Sequence, residues 1–150
     1  MQRCRICATV VGNSIDTCPV CDNDQFEPVV VYVGCYYRGR RLATVRAGEK
    51  WAVTRKWVKT NLSTALKVND PDGQPIHRYL PWNAELLRLE WSGDTPTLQA
   101  GPSRGNHFVV DGRPLAPDGV CISPDGVVVG LWSAARSAVV FELEFRLESP

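Results

Sequence analysis

Two closely spaced cysteine pairs near the start of the chain constrain its fold more than any other feature of the sequence. The pairs read Cys4-Arg-Ile-Cys7 and Cys18-Pro-Val-Cys21, and ten residues separate them. Each C-x-x-C pair forms a tight knuckle that directs both thiolates at one point. Four thiolates that converge in this way favour a tetrahedral Zn²⁺ closed to water, which is the structural type of zinc site.

The same four ligands leave two alternatives open. Iron in a rubredoxin-like site is the main competitor, because soft tetrahedral sites of four sulfurs suit both metals. A disulfide pair in a secreted protein is a weaker alternative, since the cysteines are grouped as knuckles. We assign zinc as the cofactor and residues 1–28 as a zinc ribbon, which is too small to fold without the metal.

The composition fits a globular chain that stays outside membranes. At 150 residues the chain has room for one ordinary domain plus a small module, and its 44% hydrophobic and 22% charged residues argue against disorder. We find no apolar stretch as long as a transmembrane helix and no basic and apolar leader. Cys35 and Cys121 stand alone in apolar strand contexts, so we expect both to be small core residues. These features predict a soluble protein of the reducing cytoplasm.

Positive charge is concentrated in residues 38–67. This segment holds nine basic residues against the single acid Glu49, although the formal net charge of the whole chain is only +1. One interpretation is a basic patch for a phosphate or an acidic partner, and the other is a set of solvated strand faces and loops.

From residue 29 onward, short apolar segments alternate with turn sequences such as Asp70-Pro-Asp-Gly73. Segments at intervals of roughly 8–12 residues are typical of an all-β sandwich or barrel. The last segment is the clearest, because apolar and charged residues alternate from Phe141 to Leu147. We therefore predict a mostly β chain with a β-sandwich domain at residues 29–150. The predicted strands cover residues 29–36, 41–45, 50–53, 65–68, 85–91, 97–100, 108–110, 120–122, 127–131 and 139–147.

Four stretches between the predicted strands follow one another in a recognisable order. With this order and spacing, residues 30–148 resemble a forkhead-associated (FHA) domain, a β-sandwich that binds phosphothreonine peptides through its loops. The resemblance implies that these loops meet at one end of the sandwich. The stretches are Thr54-Arg55, Leu80-Pro-Trp-Asn83, Ser103-Arg-Gly-Asn106-His107 and Ser123-Pro-Asp-Gly126.

The sequence departs from the FHA pattern where a phosphate would bind. Leu80 stands in the place of a serine and Asn83 in the place of a histidine. A phosphate site needs charge-assisted donors from several loops, and Leu80 cannot donate. We therefore expect the loops to bind an unphosphorylated protein partner, with Trp82 as an anchor and Arg55 for a carboxylate. The expected partner-binding residues are Arg55, Trp82, Asn83, Asn106 and His107.

The sequence favours a protein without enzymatic activity. His77 and His107 are its only histidines, and neither lies in a recognisable catalytic motif. The motifs of phosphate-binding loops, dinucleotide-binding folds and zinc proteases are missing as well. We therefore expect no catalytic residues and no small-molecule substrate.

These patterns predict an adaptor subunit of a larger cytoplasmic complex of a bacterium, in which the ribbon and the sandwich bind protein partners and no membrane. The alternative is a nucleic-acid-binding protein that uses the ribbon together with the basic segment 38–67. The ribbon is itself acidic, which weighs against this alternative. A third class is a redox protein with iron at the four cysteines.

Overall fold

The chain is mostly β, as the sequence predicts. The computed structural model describes residues 1–101 and 105–149, and the strands of these ranges form three antiparallel sheets. Ser103 and Arg104, which belong to the third stretch of the predicted FHA resemblance, lie outside the described residues. Within them, every helix is too short or too polar to traverse a lipid bilayer.

The first sheet is small and contains the cysteine-rich segment. Its central strand pairs with the other two, so that Cys4 at the end of the first strand faces Phe26 at the start of the third. The first knuckle is also the turn between the first two strands. The strands are β1 (Gln2–Cys4), β2 (Val10–Val11) and β3 (Phe26–Pro28), in the order β2-β1-β3.

Two larger sheets follow. One has six strands in the order β10-β9-β12-β13-β4-β5, and the other has four in the order β11-β8-β7-β6. The strands are β4 (Tyr32–Tyr37), β5 (Arg40–Arg46), β6 (Trp51–Thr54), β7 (Glu85–Ser92), β8 (Thr95–Ala100), β9 (His107–Val110), β10 (Arg113–Pro114), β11 (Val120–Cys121), β12 (Val127–Ser133) and β13 (Ala138–Glu148).

Residues of both larger sheets share one buried core, so the two sheets pack as a sandwich. Leu87 and Leu98 of the four-stranded sheet are fully buried in the same cluster as Phe145 and Val129 of the six-stranded sheet. The apolar positions of β13 that alternate with charged residues are all buried, as the sequence predicts. They are Phe141, Leu143, Phe145 and Leu147.

The two isolated cysteines have different surroundings. Cys35 lies in β4 and is fully buried, and its burial raises the pKa of the thiol. The core role predicted for Cys35 is therefore confirmed. The same prediction is wrong for Cys121, which is exposed on the two-residue strand β11 at the edge of its sheet.

Residues 55–64 are helical, and this is the largest local departure from the predicted elements. The segment begins with the short helix α1 (Arg55–Val58), capped by the hydroxyl of Thr54, and continues as a π-helical turn (Lys59–Thr64). The strand predicted at residues 65–68 is wrong, because Leu66 and Val68 donate back to the carbonyl of Leu62 and end the helical segment. A short 3₁₀ helix (Ile76–Tyr79) follows.

The cysteine-rich segment contacts the sandwich at its edge. The N–H of Val29 donates to the carbonyl of Met1 at 3.0 Å, directly after β3. Asp94, in the turn between β7 and β8, pairs with the amino group of Met1 and accepts from Asn13 Nδ2 at 3.3 Å. The domain boundary between residues 28 and 29 stays a prediction.

Candidate metal centre and partner-binding cavity

The four cysteines of the two knuckles converge on one point. Each side chain offers one sulfur, and the four Sγ atoms lie within 4.8 Å of one another. The Cys4–Cys21 and Cys7–Cys18 sulfur pairs are each 3.5 Å apart. A tetrahedral ion with metal–sulfur bonds of about 2.3 Å separates its sulfurs by about 3.8 Å. The sulfur set therefore has the dimensions of a possible four-cysteine metal site.

Both knuckles have the same backbone conformation. The N–H of Ala8 donates to the carbonyl of Cys4, and the N–H of Asp22 donates to the carbonyl of Cys18, each at 3.0 Å. Ala8 and Asp22 both have a left-handed backbone conformation, with φ of 63° and 58° respectively. That conformation costs a residue other than glycine about 1–2 kcal/mol. The knuckles therefore need an interaction beyond local backbone preference to hold them.

Hydrogen bonds around the sulfurs favour thiolates at two of the four positions. The backbone N–H of Cys7, aided by that of Ile6 and by the amide of Asn23, lowers the pKa of Cys4 to about 6. The hydroxyl and the backbone N–H of Thr9 lower the pKa of Cys7. These hydrogen bonds stabilise the thiolate, which is the form of the sulfur that binds a metal.

Cys21 has the least favourable surroundings for a thiolate among these sulfurs whose pKa is shifted. The backbone N–H of Asn23 favours its thiolate, but desolvation and the three neighbouring sulfurs outweigh that bond and raise the pKa of Cys21 to about 12. Four sulfurs at these distances cannot all be ionised while their charges repel one another. A divalent cation at the centre would remove the repulsion and allow four thiolates.

A second candidate site is a cavity of about 650 Å³ beside the helical segment 55–64. A volume of this size lies in the range of about 300–1,000 Å³ that ligand sites have. Its walls come from the helical segment and from the loop that enters β7. The residues that give it its chemistry are Arg55, Lys56, Lys59, His77, Trp82 and Asn83.

Arg55 and Trp82 form the centre of this cavity wall. The guanidinium carbon of Arg55 lies 3.8 Å from the centre of the Trp82 ring, a close cation–π contact. Arg55 Nη1 also donates to the carbonyl of Leu80 at 3.1 Å. The Trp82 side chain is 75% exposed, although a tryptophan is usually packed in a core. Asn83 follows with a left-handed backbone of φ 56°.

The other two residues of the expected partner site lie outside the lining of this cavity. Asn106 connects the end of the 3₁₀ helix to the β12–β13 turn. Its Nδ2 donates to the carbonyl of Tyr79 at 2.8 Å, and its Oδ1 accepts from the N–H of Ala134 at 3.2 Å. His107 lies in β9, paired with Trp132 of β12. The structure thus brings Arg55, Trp82 and Asn83 together, with Asn106 as a support on the far side of the loop.

Leu80 is part of the core. It is only 2% exposed, between the Tyr79 carbonyl held by Asn106 and the exposed Trp82. Its backbone carbonyl faces Arg55, and its side chain belongs to the buried cluster. Leu80 therefore packs in the core of the sandwich and anchors the loop.

Sequence reasoning missed three cavity residues that come from helical turns. Lys56 and Lys59 lie on the helical segment, and His77 lies on the 3₁₀ helix. His77 Nδ1 is 2.9 Å from the hydroxyl of Ser63, which also accepts the backbone N–H of His77 at 3.2 Å. Burial and the nearby positive charges of Arg55 and Lys59 lower the pKa of His77. The sequence signal that could have indicated this helix was Thr54, because threonine is a common residue at the N-cap of a helix.

A buried acidic residue fixes the loop from its other end. Asp70 accepts from the hydroxyl of Tyr79 at 2.7 Å and from Arg136 Nη2 at 3.1 Å. The bond from Tyr79, the N–H of Gln74 and the charge of Arg136 together lower the pKa of Asp70. This network ties the loop of residues 70–79 to the β12–β13 turn and so fixes one side of the cavity.

Comparisons of the chain with protein-family models, with curated proteins and with solved structures gave no significant match.

Proposed function

We propose that the chain is a non-enzymatic adaptor that binds a protein partner in a larger cytoplasmic assembly of a bacterium. One observation carries the proposal: an exposed tryptophan, Trp82, is stacked on Arg55 at the rim of a ligand-sized cavity. Tryptophan and arginine are the residues that most often dominate the binding energy of protein interfaces. Their pairing at an exposed position favours recognition of a partner.

Zinc is the metal that we propose for the four cysteines. The donor set consists of four sulfurs, the sulfur spacing suits a tetrahedral ion, and all four positions are taken by protein ligands. A closed site of this kind stabilises a fold and leaves no coordination position for a substrate. Cys4, Cys7, Cys18 and Cys21 would hold the ion, which would supply the folding energy of the ribbon.

We infer an FHA-like origin for the sandwich at residues 29–150, with a phosphopeptide site that has lost its function. The two-sheet sandwich and the meeting of Arg55 with the Leu80–Asn83 loop support this inference. Arg55 is engaged by the carbonyl of Leu80 and by the Trp82 ring, and the Leu80 side chain offers no donor. We expect phosphopeptides to bind no better than their unphosphorylated counterparts.

The Ser63–His77 pair supports a structural role better than a catalytic one. A catalytic base activates a hydroxyl that is exposed to substrate. Ser63 Oγ instead accepts the backbone N–H of His77 and also lies within hydrogen-bond distance of the ring Nδ1 of the same residue, and so bridges the π-helical turn to the 3₁₀ helix. We therefore assign no catalytic residue.

Affinity capture with the intact zinc-loaded chain tests the proposal. The wild-type protein, Trp82→Ala and Arg55→Ala are compared with Val128→Ala, which removes an exposed apolar side chain elsewhere. We expect one specific protein to be captured by the wild type and the control and to be lost with Trp82→Ala. Titration of that purified protein against each variant then gives the affinities.

Equal affinity of all four proteins for every captured partner would contradict the proposed site. A captured partner whose binding depends on neither Trp82 nor Arg55 would place the adaptor surface elsewhere on the chain. Circular dichroism melting curves of the variants show whether each of them remains folded.

A further inference from the structure

The proposed adaptor role leaves the positive charges of the cavity unexplained. Lys56 and Lys59 line it beside Arg55, and Glu85 is the only acid among the described lining residues. Both lysines are exposed, and within residues 1–101 and 105–149 neither forms an ion pair. A concave site in which one sign of charge predominates attracts ligands of the opposite sign.

The spacing of Lys56 and Lys59 favours a ligand that carries two separate negative charges. Residues three apart on a helical turn lie on one face, with Cβ atoms about 5–6 Å apart. Alternate residues of an extended peptide lie on one side of it at about 6.5 Å. Two acidic side chains at alternate positions of an extended segment would therefore reach Lys56 and Lys59 together.

The remaining wall suits an apolar side chain. The face of Trp82 that is turned from Arg55 is open, because the side chain is 75% exposed while the guanidinium covers one side of the ring. An apolar residue that packs on this ring would remove a large aromatic surface from water. Arg55 Nη1 donates to the Leu80 carbonyl and the guanidinium covers one face of the ring, so Arg55 supports the ring, and the two exposed lysines are the more accessible charged contacts.

We propose that this cavity binds an extended, unphosphorylated acidic peptide, with two alternate carboxylates at Lys56 and Lys59 and an apolar residue on Trp82. This inference rests on the proposed adaptor function and names the chemistry of the partner. Charge complementarity selects a peptide of this kind. A phosphate group would need several converging donors, and the buried Leu80 side chain supplies none.

Calorimetry with the full zinc-loaded chain and four synthetic probes tests the proposal. The probes are the peptide Gly-Glu-Leu-Glu-Leu-Glu-Gly, its counterpart with glutamine in place of each glutamate, a counterpart with phosphothreonine in place of the central glutamate, and an oligothymidine. We expect the glutamate peptide to bind about tenfold more tightly than the glutamine peptide, because two exposed ion pairs contribute. We expect the phosphothreonine peptide to bind no more tightly than the glutamate peptide.

Charge reversal at the lysines gives the matched comparison. Lys56→Glu and Lys59→Glu should each weaken the binding of the glutamate peptide several-fold and leave the binding of the glutamine peptide unchanged. Lys50→Glu is the control, because Lys50 is also exposed but lines a different cavity, between β6 and β7. Since all three side chains are exposed, the variants should fold like the wild type.

Several outcomes would overturn the proposal. Equal binding of the two plain peptides, no binding of either, or a clear preference for phosphothreonine or oligothymidine would each contradict it. The lysine variants also separate this inference from the adaptor role. If the captured partner depends on Trp82 but not on Lys56 or Lys59, the adaptor role stands and the acidic ligand is wrong. If it depends on none of the three, the proposed binding site and the acidic ligand are both wrong, and the partner binds elsewhere on the chain.

Discussion

The ribbon and the sandwich are stabilised in different ways. Residues 1–28 have a three-stranded sheet of short strands, and their buried side chains include two of the four converging cysteines, Cys4 and Cys18. The sandwich instead buries a continuous cluster of aliphatic and aromatic side chains between two sheets. We therefore expect the small module to depend on a few specific ligands, whereas the large one depends on many interchangeable apolar contacts.

The largest effect is expected from removal of one sulfur. Cys4→Ser or Cys18→Ser should reduce the metal content from one zinc per chain to none and unfold residues 1–28, because three thiolates no longer close the site. Metal analysis and two-dimensional NMR spectra of the intact chain measure both effects. Cys121→Ser is the control, since Cys121 is exposed and distant in sequence from the knuckles. An iron absorption band, or a ribbon that stays folded without metal, would contradict the zinc assignment.

Truncation of a core ring should damage the sandwich and spare the metal centre. Phe145 is fully buried and packs edge-on against Trp51 with a centroid distance of 5.7 Å. Phe145→Ala should lower the free energy of unfolding by about 3–5 kcal/mol, through lost burial and the cavity that remains. Denaturant unfolding measures this change, with Val128→Ala as a surface control. Loss of zinc from Phe145→Ala under native conditions would mean that the two regions do not fold independently.

Acid should weaken the sandwich through Asp70. The pKa of Asp70 is lowered in the folded state, so its contribution to stability is complete above its unfolded pKa of about 3.9. The contribution is lost as the pH falls below that value and through the lower folded pKa. Denaturant unfolding between pH 5 and pH 2.5 should show a steeper loss for the wild type than for Asp70→Asn. Parallel curves for the two proteins would contradict the role given to the Asp70–Tyr79–Arg136 network.

A glycine in the first knuckle should strengthen the ribbon by a small amount. Ala8 is left-handed with φ 63°, and glycine adopts this conformation without the penalty. Ala8→Gly should therefore stabilise the folded ribbon by about 1 kcal/mol and tighten zinc binding about fivefold. Competition with a chromophoric chelator measures the affinity. Ala47→Gly, in the turn after β5, should leave zinc affinity unchanged; an equal gain there would refute the explanation.

We expect the weakest binding with nucleic acid. In the nucleic-acid alternative, the ribbon and the basic segment 38–67 of the sandwich would contact the same molecule. The arginines of the β4–β5 hairpin are partly occupied, since Arg38 lies over the Tyr37 ring and Arg41 pairs with Glu148. We expect little binding to duplex or single-stranded DNA at physiological salt. Fluorescence anisotropy over a salt series checks this expectation. Micromolar affinity with a steep salt dependence would favour the nucleic-acid alternative.

The two regions also differ in how much of them the sequence predicts. The metal ligands follow from spacing alone, because each C-x-x-C pair is a local unit whose geometry needs no distant contact. The strands of the sandwich follow from alternation, as β13 shows. The helical segment 55–64 has no such signal, since its two buried positions, Val58 and Leu62, are too few to reveal a period.

The contacts that form the cavity could not be predicted from the sequence. Arg55 and Trp82 were expected at one site through a family resemblance, but their stacking depends on how the Leu80–Asn83 loop returns to the helical segment. The expected grouping of Asn106 with them is indirect, because Asn106 reaches the loop through the Tyr79 carbonyl. Such contacts between distant parts of the chain require the fold to be known.

The central claim is that the ribbon depends on its metal and the sandwich does not. Amide hydrogen exchange of the full chain, measured before and after removal of the metal with a chelator, tests it most directly. We expect residues 1–28 to lose their protection while the strands of the sandwich keep theirs, and added Zn²⁺ to restore the protection of the ribbon. Unchanged protection of residues 1–28 after complete metal removal, or a simultaneous loss in both regions, would contradict it.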